Sequence, residues 1–307
     1  MYITTLFHGK NSLKIRLLGH FDDGRTPMPN MKKLAREAAN RVLSRVGLEI
    51  RSFRPDTDFQ IDDQLRSLRV SRQAEKIHAA LSSSWLAWDQ ENIFRAVADF
   101  DQLMRAPPFR QTMGGAGYAN GLLLFTTTRR LSPDYIVESG VFRGFSTWVL
   151  RNAAPKAEIH SFDIDFSHLD FKDSRTRYYN HDWSQANLNI PDTALGFFDD
   201  HVNQARRVNE CSERGLTTLL FDDDISLTAA YADIPLIIPT VSMILDDKLS
   251  QFEEIAWRVG ERRFNARLDH QEVSAARSRI AEATHLPSLE AETMFHNSPY
   301  TAVRLHA

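Results

Sequence analysis

The chain reads as an α/β protein, a mostly parallel sheet with helices on both faces behind a mainly helical N-terminal segment. Three observations predict it. From Tyr135 onward, short apolar runs end in acidic or glycine residues and are separated by helix-length stretches, the texture of strands alternating with helices. Between the first run and the helix after it lies a turn with two glycines, Gly140 and Gly144. Before Tyr135, apolar residues recur at helical spacing until Ala106-Pro107-Pro108 interrupts them.

The elements follow in order. A short opening segment suits a strand or hairpin. Met31, Leu34, Ala35, Ala38, Val42 and Val46 then predict a helix, with Asn30 as its cap and Gly47 as its stop. The other face carries Lys32, Lys33, Arg36, Arg41 and Arg45 with no aromatic residue between them, so a solvated face stands beside a phosphate- or membrane-facing stripe. Two more helices are expected around Leu65 to Leu81 and Trp85 to Met104. The glycines from Gly114 to Gly117 mark a junction before a helix through Leu122 to Thr128, dividing an extension, residues 1–113, from a domain, residues 114–307. Strands are expected at Tyr135 to Val137, Glu158 to Phe162, Arg177 to Asn180, Thr217 to Phe221, Thr240 to Leu245 and Thr301 to Leu305.

Composition removes several function classes. With 37 basic and 40 acidic residues the formal net charge is −3, which gives no global attraction to nucleic acid or an anionic membrane. Cys211 is the only cysteine, so neither an internal disulfide nor a multi-thiolate metal site can form. Neighbouring acids disfavour its thiolate, which makes it structural. No run approaches the ~20 apolar residues that span a bilayer. A cytoplasmic protein, without nucleic acid or a membrane span, is the expectation.

In parallel α/β sheets ligands bind beyond the carboxyl ends of the strands, so the residues after each run carry most weight. The first run continues as Y-I-V-E-S-G-V-F-R-G-F-S-T-W. Gly140 and Gly144 let the backbone turn tightly and approach a ligand, Ser146 and Thr147 open the next helix with free amides, and Glu138 argues against a pyrophosphate in the turn. The spacing also departs from G-x-G-x-x-G, and a bare packing turn is the alternative. The second run places Asp163, with Asp165 as the nearby alternative, where an acid accepts ribose hydroxyls. The third puts Asp182 and Trp183 just past a strand, an acceptor for an adenine amino group and a ring to pack on the base.

The order E-S-G-V-F-R-G-F-S-T, F-D-I-D, N-H-D-W-S resembles the first three cofactor motifs of the class I S-adenosylmethionine-dependent methyltransferases. It looks most like the branch of macrolide and sugar O-methyltransferases and cephalosporin hydroxylase-like proteins, over about Gly114 to Ala307. The resemblance implies a Rossmann-like fold, with Glu138 and Gly140 along the methionine moiety, Asp163 at the ribose and Asp182 at the adenine.

T-L-L-F-D-D-D-I-S and S-M-I-L-D-D-K bring Asp222, Asp223, Asp224, Asp246 and Asp247 to what reads as one sheet edge. Crowded carboxylates raise one another's pKa unless a cation intervenes, and Mg²⁺ suits an oxygen-only site; a solvated acidic rim is the alternative. The resembled family holds such an ion with an acid after the fourth strand and an acid pair after the fifth, which Asp222, Asp246 and Asp247 match. The family's base, a His or Lys three residues after the first of these acids, is here Ile225, which takes no proton; His181, or more remotely His168, would replace it. Pro235 and Pro239 stand where the family has a glycine pair. The reading is an O-methyltransferase, Mg²⁺-assisted, acting on a hydroxyl of a sugar, glycan precursor or secondary metabolite, its extension covering the site or making a homo-oligomer contact. The rival is a non-catalytic Rossmann-like protein that binds a nucleoside or a partner protein. An oxygenase finds no H-x-[DE] metal triad.

Overall fold

The computed structural model describes residues 63–108, 117–229, 237–259, 262–293 and 297–306. The opening strand or hairpin, the helix from Met31 with its basic face, and Gly114, Ala116 and Pro235 lie outside them. The chain divides into two compact units, Met1–Pro55 and Asp56–Ala307; the described residues all belong to the second.

Two of the expected helices are present as α1 (Asp63–Leu81) and α2 (Gln90–Leu103). Asp89 caps α2 by accepting from the Asn92 amide at 2.9 Å, which supplies one of the donors a helix start leaves unpaired. Ile93, Ala96, Val97 and Phe100 make its buried face. That face belongs to one hydrophobic cluster with α3 (Tyr118–Leu131) and with Ile136, Leu150, Ile159, Leu195 and Leu220 of the later elements. Packing thus joins the helices before Pro107 to the sheet, and position 113/114 falls inside the second compact unit.

The sheet has seven strands in the order β3-β2-β1-β4-β5-β9-β8. They are β1 (Tyr135–Ser139), β2 (Glu158–Phe162), β3 (Thr176–Tyr179), β4 (Ala194–Phe198), β5 (Thr218–Phe221), β8 (Ile280–His285) and β9 (Thr301–Leu305). The first five pair in parallel; β9 runs antiparallel to both β5 and β8. Buried apolar runs with helices between them give this arrangement because a parallel sheet needs cover on both faces. The covering helices include α4 (Phe145–Ala153) and α5 (Gln204–Glu213). A separate hairpin, β6 (Glu254–Val259) with β7 (Arg262–Arg267), precedes α7 (His270–Arg279), and the short α8 (Glu290–Thr293) precedes β9. Among the described residues no helix is long and apolar enough to cross a membrane.

Two expectations fail here. Thr240 to Leu245 is not a strand: Val241–Leu245 is the helix α6, and the Thr240 hydroxyl caps it by accepting from the Met243 amide. An apolar run of five residues does not distinguish strand from helix, and the cap decides. The fourth strand is instead Ala194–Phe198, in a stretch that did not read as one. Gly196 lies in its middle, and a Cβ there would stand 2.7 Å from the Phe198 ring. The Thr217 to Phe221 run is therefore the fifth strand, which re-addresses every acid assigned by counting.

Candidate active site

A cavity of about 710 Å³ opens beyond the carboxyl ends of β1 to β5. Of the residues expected from sequence, Gly140, Ser146, Asp163, His181, Asp182 and Asp222 line it. Glu138, Gly144, Trp183, Asp246 and Asp247 do not.

The β1 turn is held from both sides. Gly140 has φ +91°, and a Cβ there would lie 2.2 Å from the Asp199 carbonyl oxygen, so glycine lets β1 and β4 close against each other at their ends. Gly144, φ +88°, is required in the same way, since a Cβ would meet the Phe171 carbonyl at 2.3 Å. Asp163 ties the turn to β2: its Oδ2 accepts from the Val141 and Phe142 amides, both at 2.9 Å, and its Oδ1 from Asp165. Glu138 is fully buried beneath the turn, accepting from Thr147 Oγ1 at 2.7 Å and Ser161 Oγ at 2.5 Å. Burial outweighs those bonds and raises its pKa, so Glu138 acts here as an internal brace.

At the end of β3, Asp182 is clamped. Arg207, only 2% exposed, donates to both of its oxygens at 3.1 and 2.5 Å and also pairs with Asp200 and Glu210. Burial pulls the Asp182 pKa upward, but the bonds from Arg207 and Ser184 prevail and hold it at about 2. Trp183 is wholly buried, edge-on to Phe198 with the Arg214 guanidinium over its ring. It packs in the core and no face is left for a base. His181 lines the cavity beside Asp182, its Nδ1 bonded to the Asp182 carbonyl.

That end is built from β4 and β5. The β4 run leads into Asp199-Asp200-His201 and β5 into Asp222-Asp223-Asp224. One oxygen each from Asp199 and Asp223 and one nitrogen of His201 lie within 4.8 Å of one another. His201 Nε2 is 3.4 Å from Asp223 Oδ2 and 3.9 Å from Asp199 Oδ1. His201 and Asp223 both adopt left-handed backbone, φ 54° and 55°, a conformation that costs non-glycine residues about 1 kcal/mol or more and gathers at functional sites. Burial, then the charges of Asp222 and Asp223, push the Asp199 pKa well up. Burial, then Asp223, push Asp222 to about 7. The hydrogen bond to Asp223 raises His201. Asp200 is engaged elsewhere, by Ser139 and Arg207, and Asp224 by Ser242, Thr301 and His285.

Asp246 and Asp247, assigned as metal ligands on the mistaken fifth strand, sit after α6. Asp246 caps the 3₁₀ turn Asp247–Gln251, and Asp247, 93% exposed, pairs with Arg277. Ile225 is buried in the core and follows the fifth strand. The acid after the fourth strand is Asp199, and a histidine, His201, stands two residues beyond it. The D-D-H triplet was visible in the sequence; what hid it was the unrecognised strand before it.

Comparison with protein-family models and with curated proteins finds no match. Among solved structures the chain is similar to the SAH-bound methyltransferase PaMTH1 of Podospora anserina, at 14% identity and TM-score 0.38 over 93% of this chain and 100% of that one. It is also similar to an O-methyltransferase from Bacillus cereus in complex with SAH, at 12% identity and TM-score 0.35 over 87% and 97%. A third is the O-methyltransferase TomG of Streptomyces achromogenes, involved in tomaymycin synthesis and bound to SAM, at 14% and 0.36 over 77% and 99%. What decides the fold is the chain's own strand order, with β9 alone reversed. It is the Rossmann-like fold of class I methyltransferases.

Proposed function

We propose that the protein is an S-adenosylmethionine-dependent O-methyltransferase assisted by a divalent cation. Its acceptor is a hydroxyl with a second oxygen beside it, on a sugar, glycan precursor or secondary metabolite. The observation that carries the reading is one cavity with two chemically distinct ends: a glycine turn and ribose-type acid at β1 and β2, and a converging Asp199, Asp223 and His201 at β4 and β5.

The residues fit both groups. Each carboxylate oxygen offers about two acceptor positions, so Asp163, with Oδ2 filled by two amides, keeps one on Oδ1 for a ribose hydroxyl. Ile164, 80% exposed at the cavity edge, offers the apolar contact for a base that Trp183 does not. Asp199 and Asp223, with Asp222 beside them, offer oxygen donors suited to Mg²⁺ or Mn²⁺; burial, then neighbouring carboxylates, raises the pKa of Asp199 and of Asp222, and a cation relieves that repulsion.

S-adenosylmethionine supplies an electrophilic methyl group, and the cation a Lewis acid for the acceptor oxygen. Gly140 keeps the cofactor end and the acidic end in contact through the Asp199 backbone. His201 takes the proton from the acceptor hydroxyl. His201→Ala should lower kcat about 100-fold while leaving SAH affinity unchanged in a calorimetric titration. Unchanged kcat would remove His201 from the chemistry, and no binding of SAH by the wild-type protein would remove the cofactor.

A further inference from the structure

Asp222 is oriented quite differently from Asp182, by neutral donors that begin on the helix α3. Asn120, 2% exposed, donates from Nδ2 to Ser298 Oγ at 2.7 Å and to the Ser298 carbonyl at 3.3 Å. Ser298 Oγ, already an acceptor, spends its single proton on Asp222 Oδ1. The same Oδ1 accepts the Asp223 amide at 2.6 Å. Two donors on one oxygen fix the rotation of the carboxylate, and the buried Tyr300 hydroxyl is a further neutral group against it. Asn120, Ser298 and Asp222 all line the cavity.

The polarity of this chain of bonds is forced. The amide nitrogen faces two acceptors, so it must donate, and the serine hydroxyl then has only the carboxylate to donate to. Neither residue carries charge, so the relay orients Asp222 without neutralising it, and the negative charge stays available to a cation. An arginine in the same place would aim the carboxylate equally well and cancel its charge, as Arg207 does at Asp182.

We propose that Asn120 and Ser298 are positioning residues that set the Asp222 carboxylate for a divalent cation. The proposal rests on the cation reading above. It also gives α3, which lies outside the strand ends, a part in the acidic end of the cavity. The test is Mn²⁺ binding, followed through the paramagnetic resonance of free Mn²⁺, for wild type, Ser298→Ala and Ser298→Thr, with melting curves in EDTA beside it. Losing a partner that orients a ligand costs 10- to 100-fold in metal affinity, so Ser298→Ala should weaken Mn²⁺ by about 10-fold or more and Ser298→Thr, which keeps the hydroxyl, should restore it. Both variants should melt cooperatively in EDTA near the wild-type temperature. Equal Mn²⁺ affinity in wild type and Ser298→Ala would overturn the relay and leave the cation reading standing. A wild-type protein that binds no Mn²⁺ saturably overturns both. Loss of cooperative melting in Ser298→Ala, or no rescue by threonine, would show that the serine only holds the fold.

Discussion

Asp182 and Asp222 each stand just past a strand and each line the cavity, yet one is held at about 2 and the other pushed to about 7. The difference lies first in burial, which is deeper at Asp222, and then in the partners. At the β3 end, a guanidinium donates to both oxygens of Asp182 and pairs with two further acids. At the β4 and β5 ends, Asp199 and Asp223 converge with His201, and Asp222, whose Oδ1 accepts the Asp223 amide, lies beside them. The paired end is finished when the chain folds and gives the cavity its shape. The other end is left short of positive charge, and that shortage is what a catalytic cation would meet.

Removing the clamp should have the largest effect. Arg207→Met leaves Asp182, Asp200 and Glu210 around an apolar side chain, and breaking a buried pair on one side costs about 3–5 kcal/mol. Urea melts should show a loss of that size; a loss under 1 kcal/mol would mean that the clamp is ornamental and the contrast between the ends is overstated.

Next comes the joint between the ends. Gly140→Ala places a Cβ against the Asp199 carbonyl in a left-handed backbone, which should cost about 3 kcal/mol and weaken SAH and Mn²⁺ binding together. Loss of one ligand without the other would show that the two ends are independent.

Smallest is the titration of Asp182. Its folded pKa, about 2, lies below the ordinary 3.8, so the stability it contributes is present above pH 4 and is lost as pH falls through 2. The shift corresponds to about 2 kcal/mol. Asp182→Asn should therefore melt lower than wild type at pH 6, and the gap should close toward pH 2. A gap independent of pH would assign the loss to packing.

The sequence made the fold legible where local chemistry repeats. The glycine turn, Asp163 at the second strand end and the final strand are at the places their residues announce. It was less legible where context decides. Ala194–Phe198 contains a glycine that reads as a break, but which tertiary packing requires. Thr240 to Leu245 became a helix through one threonine hydroxyl. Since acids are assigned by counting strands, these two misreadings gave the expected metal set as Asp222, Asp246 and Asp247, where the proposed set is Asp199, Asp222 and Asp223, and concealed His201. Trp183 stood at the expected position, but ring direction is a tertiary property, and the ring points into the core.

The central claim is that the acidic end is suited to take a divalent cation and the clamped end is not. Melting curves of the wild-type protein and Asp199→Asn, in MgCl₂ and in NaCl at matched ionic strength, test it most directly. Mg²⁺ at ~100 times its dissociation constant should stabilise the wild type by about 2.7 kcal/mol, beyond anything NaCl produces. Asp199→Asn should lose most of that gain while being more stable than wild type in EDTA, because one of the crowded charges is gone. If the two salts act alike on the wild-type protein, the acidic end is a solvated rim and the cation assignment is wrong.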